Sequence, residues 1–140
     1  MTGEALIGGA MDGPYCPPTI YEVSRDDSRA IDEIFGPVLS VIEVASMDEA
    51  IEVANDTDYG LAASVFTANA RKALRAARDI RAGTVTVNCY GEGDISTPFG
   101  GYKQSGFGGR DNGIHAHDQY TELKTIWIDL NDPKDGDNVA

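Results

Sequence analysis

Apolar and polar positions change period several times along this chain, and the changes mark out its elements. Residues 1–30 show little periodicity and many breakers, among them Gly8-Gly9, Gly13-Pro14 and Pro17-Pro18. They read as loop with two short extended pieces, residues 6–8 and 19–23. A turn or short helix within residues 25–34 is closed by Gly36-Pro37. Residues 38–44 (Val-Leu-Ser-Val-Ile-Glu-Val) are apolar and β-branched, which predicts a strand. Ser46 then opens a helix, with Glu49 in the capping-box position. Met47, Ala50, Ile51 and Ala54 form its apolar stripe. Residues 62–67 predict a further strand and residues 68–80 a second helix. Leu74, Ala77 and Arg78 bracket its apolar face, Arg71, Lys72, Arg75 and Arg78 cover its outer side, and Gly83 is its stop. Residues 84–88 (Thr-Val-Thr-Val-Asn) predict another strand.

Strand–helix–strand–helix–strand with short links implies an α/β fold with a parallel βαβαβ sheet. Ligands of such sheets gather beyond the carboxyl ends of the strands, which places Asn88, Cys89 and Tyr90 at a site mouth. Eight glycines fall within residues 91–113, too many for a regular element. Residues 121–130 predict a final apolar strand with an edge that another subunit or segment would cover. Residues 131–140 read as a flexible tail. No internal repeat is visible.

Composition narrows the function. A formal net charge of −12 argues against nucleic acid or an anionic membrane as partner. No apolar run approaches the length of a membrane span, and no signal segment opens the chain. Cys16 and Cys89 stand far apart in no metal-ligand spacing, so a reducing cytoplasm is the expected compartment. His115 and His117 lack a third ligand at a known spacing and read as surface loop, so no metal site is expected. Residues 98–109 lack the order of a phosphate loop, since Lys103 precedes the Ser-Gly pair.

The most informative residues are Glu33-Ile34-Phe35-Gly36-Pro37-Val38. In an extended segment Glu33 and Phe35 share a face. A carboxylate beside an aromatic ring suits a ribose hydroxyl next to a flat heterocycle. The same spacing also fits a helix-end glutamate and a core phenylalanine before a turn. The hexapeptide resembles the cofactor-contacting segment of the NAD(P)⁺-dependent aldehyde dehydrogenases. Further segments resemble that family in order and spacing. They are residues 55–66 (Asn-Asp-Thr-Asp-Tyr-Gly-Leu-Ala-Ala-Ser-Val-Phe), 82–89 (Ala-Gly-Thr-Val-Thr-Val-Asn-Cys), 98–106 (Pro-Phe-Gly-Gly-Tyr-Lys-Gln-Ser-Gly) and 120–124 (Tyr-Thr-Glu-Leu-Lys). The resemblance runs from about Leu6 to Leu130.

It implies that Glu33 holds the nicotinamide ribose of NAD or NADP and that Phe35 packs near the nicotinamide. It implies that Phe99 lines the substrate tunnel. Residues 1–120 would be the C-terminal part of the catalytic domain, and residues 121–130 an oligomerisation strand making a homo-oligomer. The stretch Gly91-Glu92-Gly93-Asp94 resembles the aminoaldehyde branch, such as the γ-glutamyl-γ-aminobutyraldehyde dehydrogenases of putrescine breakdown. There Glu92 and Asp94 at the tunnel mouth would attract a cationic amine; the alternative is an acidic surface turn. Asp111 stands where the family usually has glutamate, after one extra glycine. The family's nucleophilic cysteine, its general-base glutamate and its cofactor domain have no counterpart here, and Cys89 aligns with a non-nucleophilic position. A dinucleotide fold needs βαβ units of about 30 residues each, and only residues 1–32 precede the hexapeptide. The expectation is an aldehyde dehydrogenase segment, inactive by itself. The alternative is a non-catalytic pairing module from a split or truncated gene.

Overall fold

A computed structural model of the chain describes residues 5–91 and 93–130. Its strands form two ladders. In the first, β1 (Ala5–Ile7) runs antiparallel to β2 (Thr19–Glu22), and β2 runs parallel to β3 (Val38–Val41). The β2–β3 register is unbroken from Thr19 opposite Val38 to Glu22 opposite Val41. The crossover between them contains α1 (Ser28–Ile31), a single turn capped by the Asp27 side chain. In the second ladder β4 (Ala62–Val65) lies parallel to β5 (Thr84–Val87), with α3 (Ala70–Asp79) crossing between them. The helix α2 (Met47–Asn55) links β3 to β4.

The parallel pairing inferred from the alternation is present in both ladders, but one continuous βαβαβ sheet is not. Among the described residues β3 pairs with β2 and has no ladder with β4. Alternating elements with short links set the direction of successive strands, not the edge that each joins. Here residues 19–22, apolar within a breaker-rich stretch, take the edge of β3. The predicted α/β class stands, as do the predicted elements between residues 38 and 88, each strand somewhat shorter than its apolar run.

Helix caps account for where the helices begin. Ser46 Oγ accepts the Glu49 N–H at 3.1 Å, and the Glu49 carboxylate reaches back to the Ala45 N–H at 2.7 Å. Asn69 Oδ1 caps α3 through the N–H groups of Arg71 and Lys72. The α3 face that is buried is Ala73 and Ala76; Leu74 is exposed, contrary to the expected apolar face. Small side chains let the helix lie close on β4 and β5 and turn the bulky leucine outward. Nor does Gly83 end α3. The helix closes at Asp79 with Ile80 as its extended cap, and Gly83 serves close packing instead. A Cβ there would lie 1.6 Å from the Gly100 carbonyl oxygen.

Two surface ion-pair sets join the parts. Arg25 bridges Glu52 and Asp56 of the α2 end, and Arg75 of α3 pairs with Asp48 of α2. The buried apolar side chains are Val23, Ala73, Ala76 and Ala82, a small core beside a large exposed apolar surface. Residues 121–130 follow a 3-10 helix (Ile114–Tyr120) and pair with no strand among the described residues, with Trp127 92% exposed. The strand predicted there, whose edge another subunit or segment was expected to cover, is not formed among the described residues. No described helix is long and apolar enough to cross a membrane.

Candidate functional site

Two segments carry the candidate chemistry: the turn between α1 and β3, and the glycine-rich loop after β5. The first is pinned at its far end. Pro37 presents its carbonyl to the Thr19 N–H at 2.9 Å, and Val38 N–H bonds the Gly36 carbonyl at 2.8 Å. Between α1 and this anchor the chain must reverse in four residues, and Phe35 takes φ +53 to do so. A left-handed aromatic residue costs about 1–3 kcal/mol and persists only where its surroundings impose it. The Phe35 ring is 92% exposed and the Glu33 carboxylate is exposed, with no hydrogen bond or ion pair among the described residues. Both line a cleft of 310 Å³ shared with Arg29 and Ser40. The structure thus brings Glu33 and Phe35 together. Glu33 also faces a second cleft of 570 Å³, whose far wall includes Tyr59, Gly60 and Ser105.

The glycine-rich loop is held by backbone and by one lysine. Tyr102 N–H and Gly83 N–H both donate to the Gly60 carbonyl, at 2.8 and 3.0 Å, and Gln104 N–H donates to Asp58 O at 2.9 Å. Ser105 Oγ accepts the Gly60 N–H at 3.1 Å. Lys103 Nζ donates to the carbonyls of Asn55 and Thr57 at 2.7 and 2.8 Å, satisfying groups at the end of α2. Phe99, half-buried, exchanges backbone hydrogen bonds with Asp111. Asp94 is exposed and turned onto its own loop. Its Oδ1 accepts from Ser96 N–H at 2.7 Å and Ser96 Oγ at 2.5 Å, and the Ser96 hydroxyl holds the carboxyl below its ordinary range. Glu92 lies outside the described residues.

Cys16 and Cys89 are both exposed, and among the described residues neither thiol is bonded to a basic side chain. His115 lies 3.9 Å from Asp118, and no cluster of three metal-ligating side chains occurs among the described residues.

The sequence pattern of the aldehyde dehydrogenase family matches residues 2–126, nearly the whole chain. This protein belongs to the aldehyde dehydrogenase family. The chain is 63% identical over 125 residues to an aminoacetaldehyde dehydrogenase of Pseudomonas aeruginosa, covering 88% of this chain and 25% of that protein. Among solved structures it resembles an indole-3-acetaldehyde dehydrogenase bound to NAD⁺, with TM-score 0.84 and 51% identity over 91% of this chain and 27% of the other. It also resembles a γ-glutamyl-γ-aminobutyraldehyde dehydrogenase from Burkholderia cenocepacia, with TM-score 0.80 and 54% identity over 87% of this chain and 26% of the other. The chain therefore spans about a quarter of the length of the aldehyde dehydrogenases it matches.

Within this quarter, several residues make contacts that the sequence did not foretell. Asn55 bridges the ends of α2 and α3, donating to Asp79 O at 2.9 Å and accepting from Arg81 N–H at 2.7 Å. Asn88, at φ +55, pairs its amide with both backbone groups of Thr67, extending the β4–β5 ladder by a side chain. An asparagine directly after a helix or strand signals an end; it does not say which distant backbone the amide reaches. Asp27 and Arg29 form a third such group, two residues apart in a charged stretch with no periodic signal.

Proposed function

We propose that this chain is the cofactor-ribose and tunnel-wall portion of an NAD(P)⁺-dependent aldehyde dehydrogenase. The parent reaction converts an aldehyde, NAD(P)⁺ and water to a carboxylate, NAD(P)H and protons. The observation that carries the reading is the Glu33–Phe35 turn. It is a strained, anchored reversal presenting an unengaged carboxylate and an exposed ring on one cleft. Those two groups fit one end of a dinucleotide, a ribose diol and a flat heterocycle; a cleft of 310 Å³ is too small for the remainder. A nicotinamide held there would supply the hydride acceptor. Glu33 would accept hydrogen bonds from the ribose hydroxyls, and Phe35 would pack against the ring and limit its movement. Phe99 would form tunnel wall.

An aminoaldehyde is the substrate class we favour. Relatives named for aminoacetaldehyde and γ-glutamyl-γ-aminobutyraldehyde support it, as does an ionised Asp94 beside Glu92 in the sequence, since carboxylates at a mouth attract an ammonium group. A place in putrescine breakdown and a cytoplasmic setting follow from the same reading. The chain alone is proposed to be inactive, because neither thiol has an activating base among the described residues, and not to bind the cofactor by itself, because the cleft takes only one end of it. Its exposed apolar surface supports packing against further protein and association through residues 121–130.

A hybrid enzyme tests this. Residues 2–126 replace the matching quarter of the Pseudomonas aeruginosa aminoacetaldehyde dehydrogenase. The expected result is NAD(P)⁺ reduction with aminoaldehydes, and a raised cofactor KM in Glu33→Gln. Turnover by the isolated chain, lost in Cys89→Ala, would overturn the reading. A hybrid that folds but is indifferent to Glu33→Gln would favour the non-catalytic pairing module.

A further inference from the structure

Arg29 occupies an unusual place for a cation. Its side chain is only 9% exposed, yet it lines the same cleft as Glu33. It is held from two sides. Asp27 takes Nε at 2.8 Å and Nη2 at 2.6 Å in a fork, and the guanidinium lies 4.6 Å from the ring centre of Tyr21 on β2. Its backbone is fixed as well, because Ser40 Oγ of β3 donates to the Arg29 carbonyl at 2.7 Å. The third nitrogen, Nη1, is buried without an acceptor. A buried guanidinium with one donor unspent keeps the capacity to bond a further carboxylate.

Two other carboxylates line that cleft, Asp32 and Glu33. Glu33 is four residues beyond Arg29, the spacing at which side chains meet on a helix surface, and has the longer arm. In the structure α1 stops at Ile31, with Asp32 extended at ψ 140, and no Arg29–Glu33 pair forms. Resting on the proposed cofactor role of Glu33, we propose that Asp27 is a positioning residue. It holds Arg29 against Tyr21 and so keeps the Glu33 carboxylate unpaired for ribose hydroxyls. A glutamate locked to Arg29 would have to give up that ion pair before accepting them.

Asp27→Asn isolates the effect, since asparagine still caps α1 but cannot hold the fork as an anion. The measurement is a ¹³C titration of the Glu33 carboxyl in the labelled 140-residue chain. We expect Asp27→Asn to lower the Glu33 midpoint by about one unit, as a nearby cation does. Arg29→Leu alone does not lower it, and the double variant Asp27→Asn/Arg29→Leu removes the fall. A Glu33 midpoint unmoved by Asp27→Asn, a fall at Asp32 instead, or no return in the double variant overturns the proposal. The titration contains no cofactor, so it fails or succeeds apart from the cofactor reading. In the hybrid enzyme the same pairing raises the KM for NAD⁺ about tenfold in Asp27→Asn, the equivalent of one unit, and the double variant restores it.

Discussion

Phe99 and Asp111 exchange both backbone hydrogen bonds, each N–H donating to the other's carbonyl at 2.7 Å. This isolated antiparallel bridge closes the glycine-rich loop behind the proposed tunnel phenylalanine. The Asp111 carboxylate takes no part in the bridge; it accepts from Gln119 Nε2 at 3.1 Å.

Because the link runs through backbone, the side chain at 111 is expected to matter little and its N–H to matter much. Asp111→Asn in the hybrid enzyme should leave aldehyde KM and thermal midpoint near the parent values. Asp111→Pro removes the donor and should cost about 1–3 kcal/mol by leaving the Phe99 carbonyl unpaired. Thermal unfolding with KM measurements checks both. Equal effects from the two variants would refute a backbone role.

Gly83 and Gly100 approach too closely for any side chain between them. Gly83→Ala puts a methyl 1.6 Å from a backbone oxygen, so β5 or the loop must move. Overpacking of this kind costs about 1–3 kcal/mol or more. Denaturant unfolding of the hybrid should show the loss, whereas Gly13→Ala, with nothing within 4 Å and φ +57, should show only backbone strain.

Lys103 is expected to behave as a structural cation. Lys103→Met strands the carbonyls of Asn55 and Thr57, and hydrogen bonds to a charged donor are worth about 1.5–3 kcal/mol. The thermal midpoint should fall while the KM for cofactor stays. A changed cofactor KM with unchanged stability would point to a ligand contact instead.

How much of this was legible beforehand follows from the range of each interaction. The capping box at Ser46 and Glu49 is local, and the predicted helix start is where the structure has it. The apolar runs of β3, β4 and β5 are local too. What the sequence hid depends on distant partners. Thr19–Glu22 reads as a minor extended piece, yet it takes the edge of β3, because pairing is decided across a crossover. Leu74 looks like core until alanines at 73 and 76 prove to be the face in contact. At the candidate site, Glu33 and Phe35 were visible as a spacing, and their cleft was not. Arg29 was invisible, since a single charge in a stretch without periodicity carries no pattern.

The Asp27–Arg29 pair also fixes a pH dependence. Asp27 is held at about 2, against an ordinary 3.8, chiefly by the Arg29 side-chain hydrogen bond and next by the Arg29 backbone N–H. A depressed carboxyl favours the folded state when ionised, so its stabilisation is complete above about pH 4 and is lost as pH falls through 2. Below that the folded state must release Arg29 from a neutral acid. Acid unfolding followed by circular dichroism should therefore shift to higher pH in Asp27→Asn, with no added change above pH 5. A wild-type and variant difference that persists unchanged from pH 2 to pH 7 would assign the loss to packing.

Residues 121–130 supply the last prediction. Leu123, Ile126, Trp127, Ile128 and Leu130 are all exposed on a segment without ladder partners. Large apolar side chains exposed together on one segment invite a strand from another copy. The isolated chain should then self-associate in a concentration-dependent way by sedimentation. Trp127→Asp should weaken this by placing a charge in the paired strand, and should leave the α2–α3 ion pairs and the Glu33 turn intact. A chain that stays monomeric across concentrations, or association indifferent to Trp127→Asp, would remove this segment as the contact.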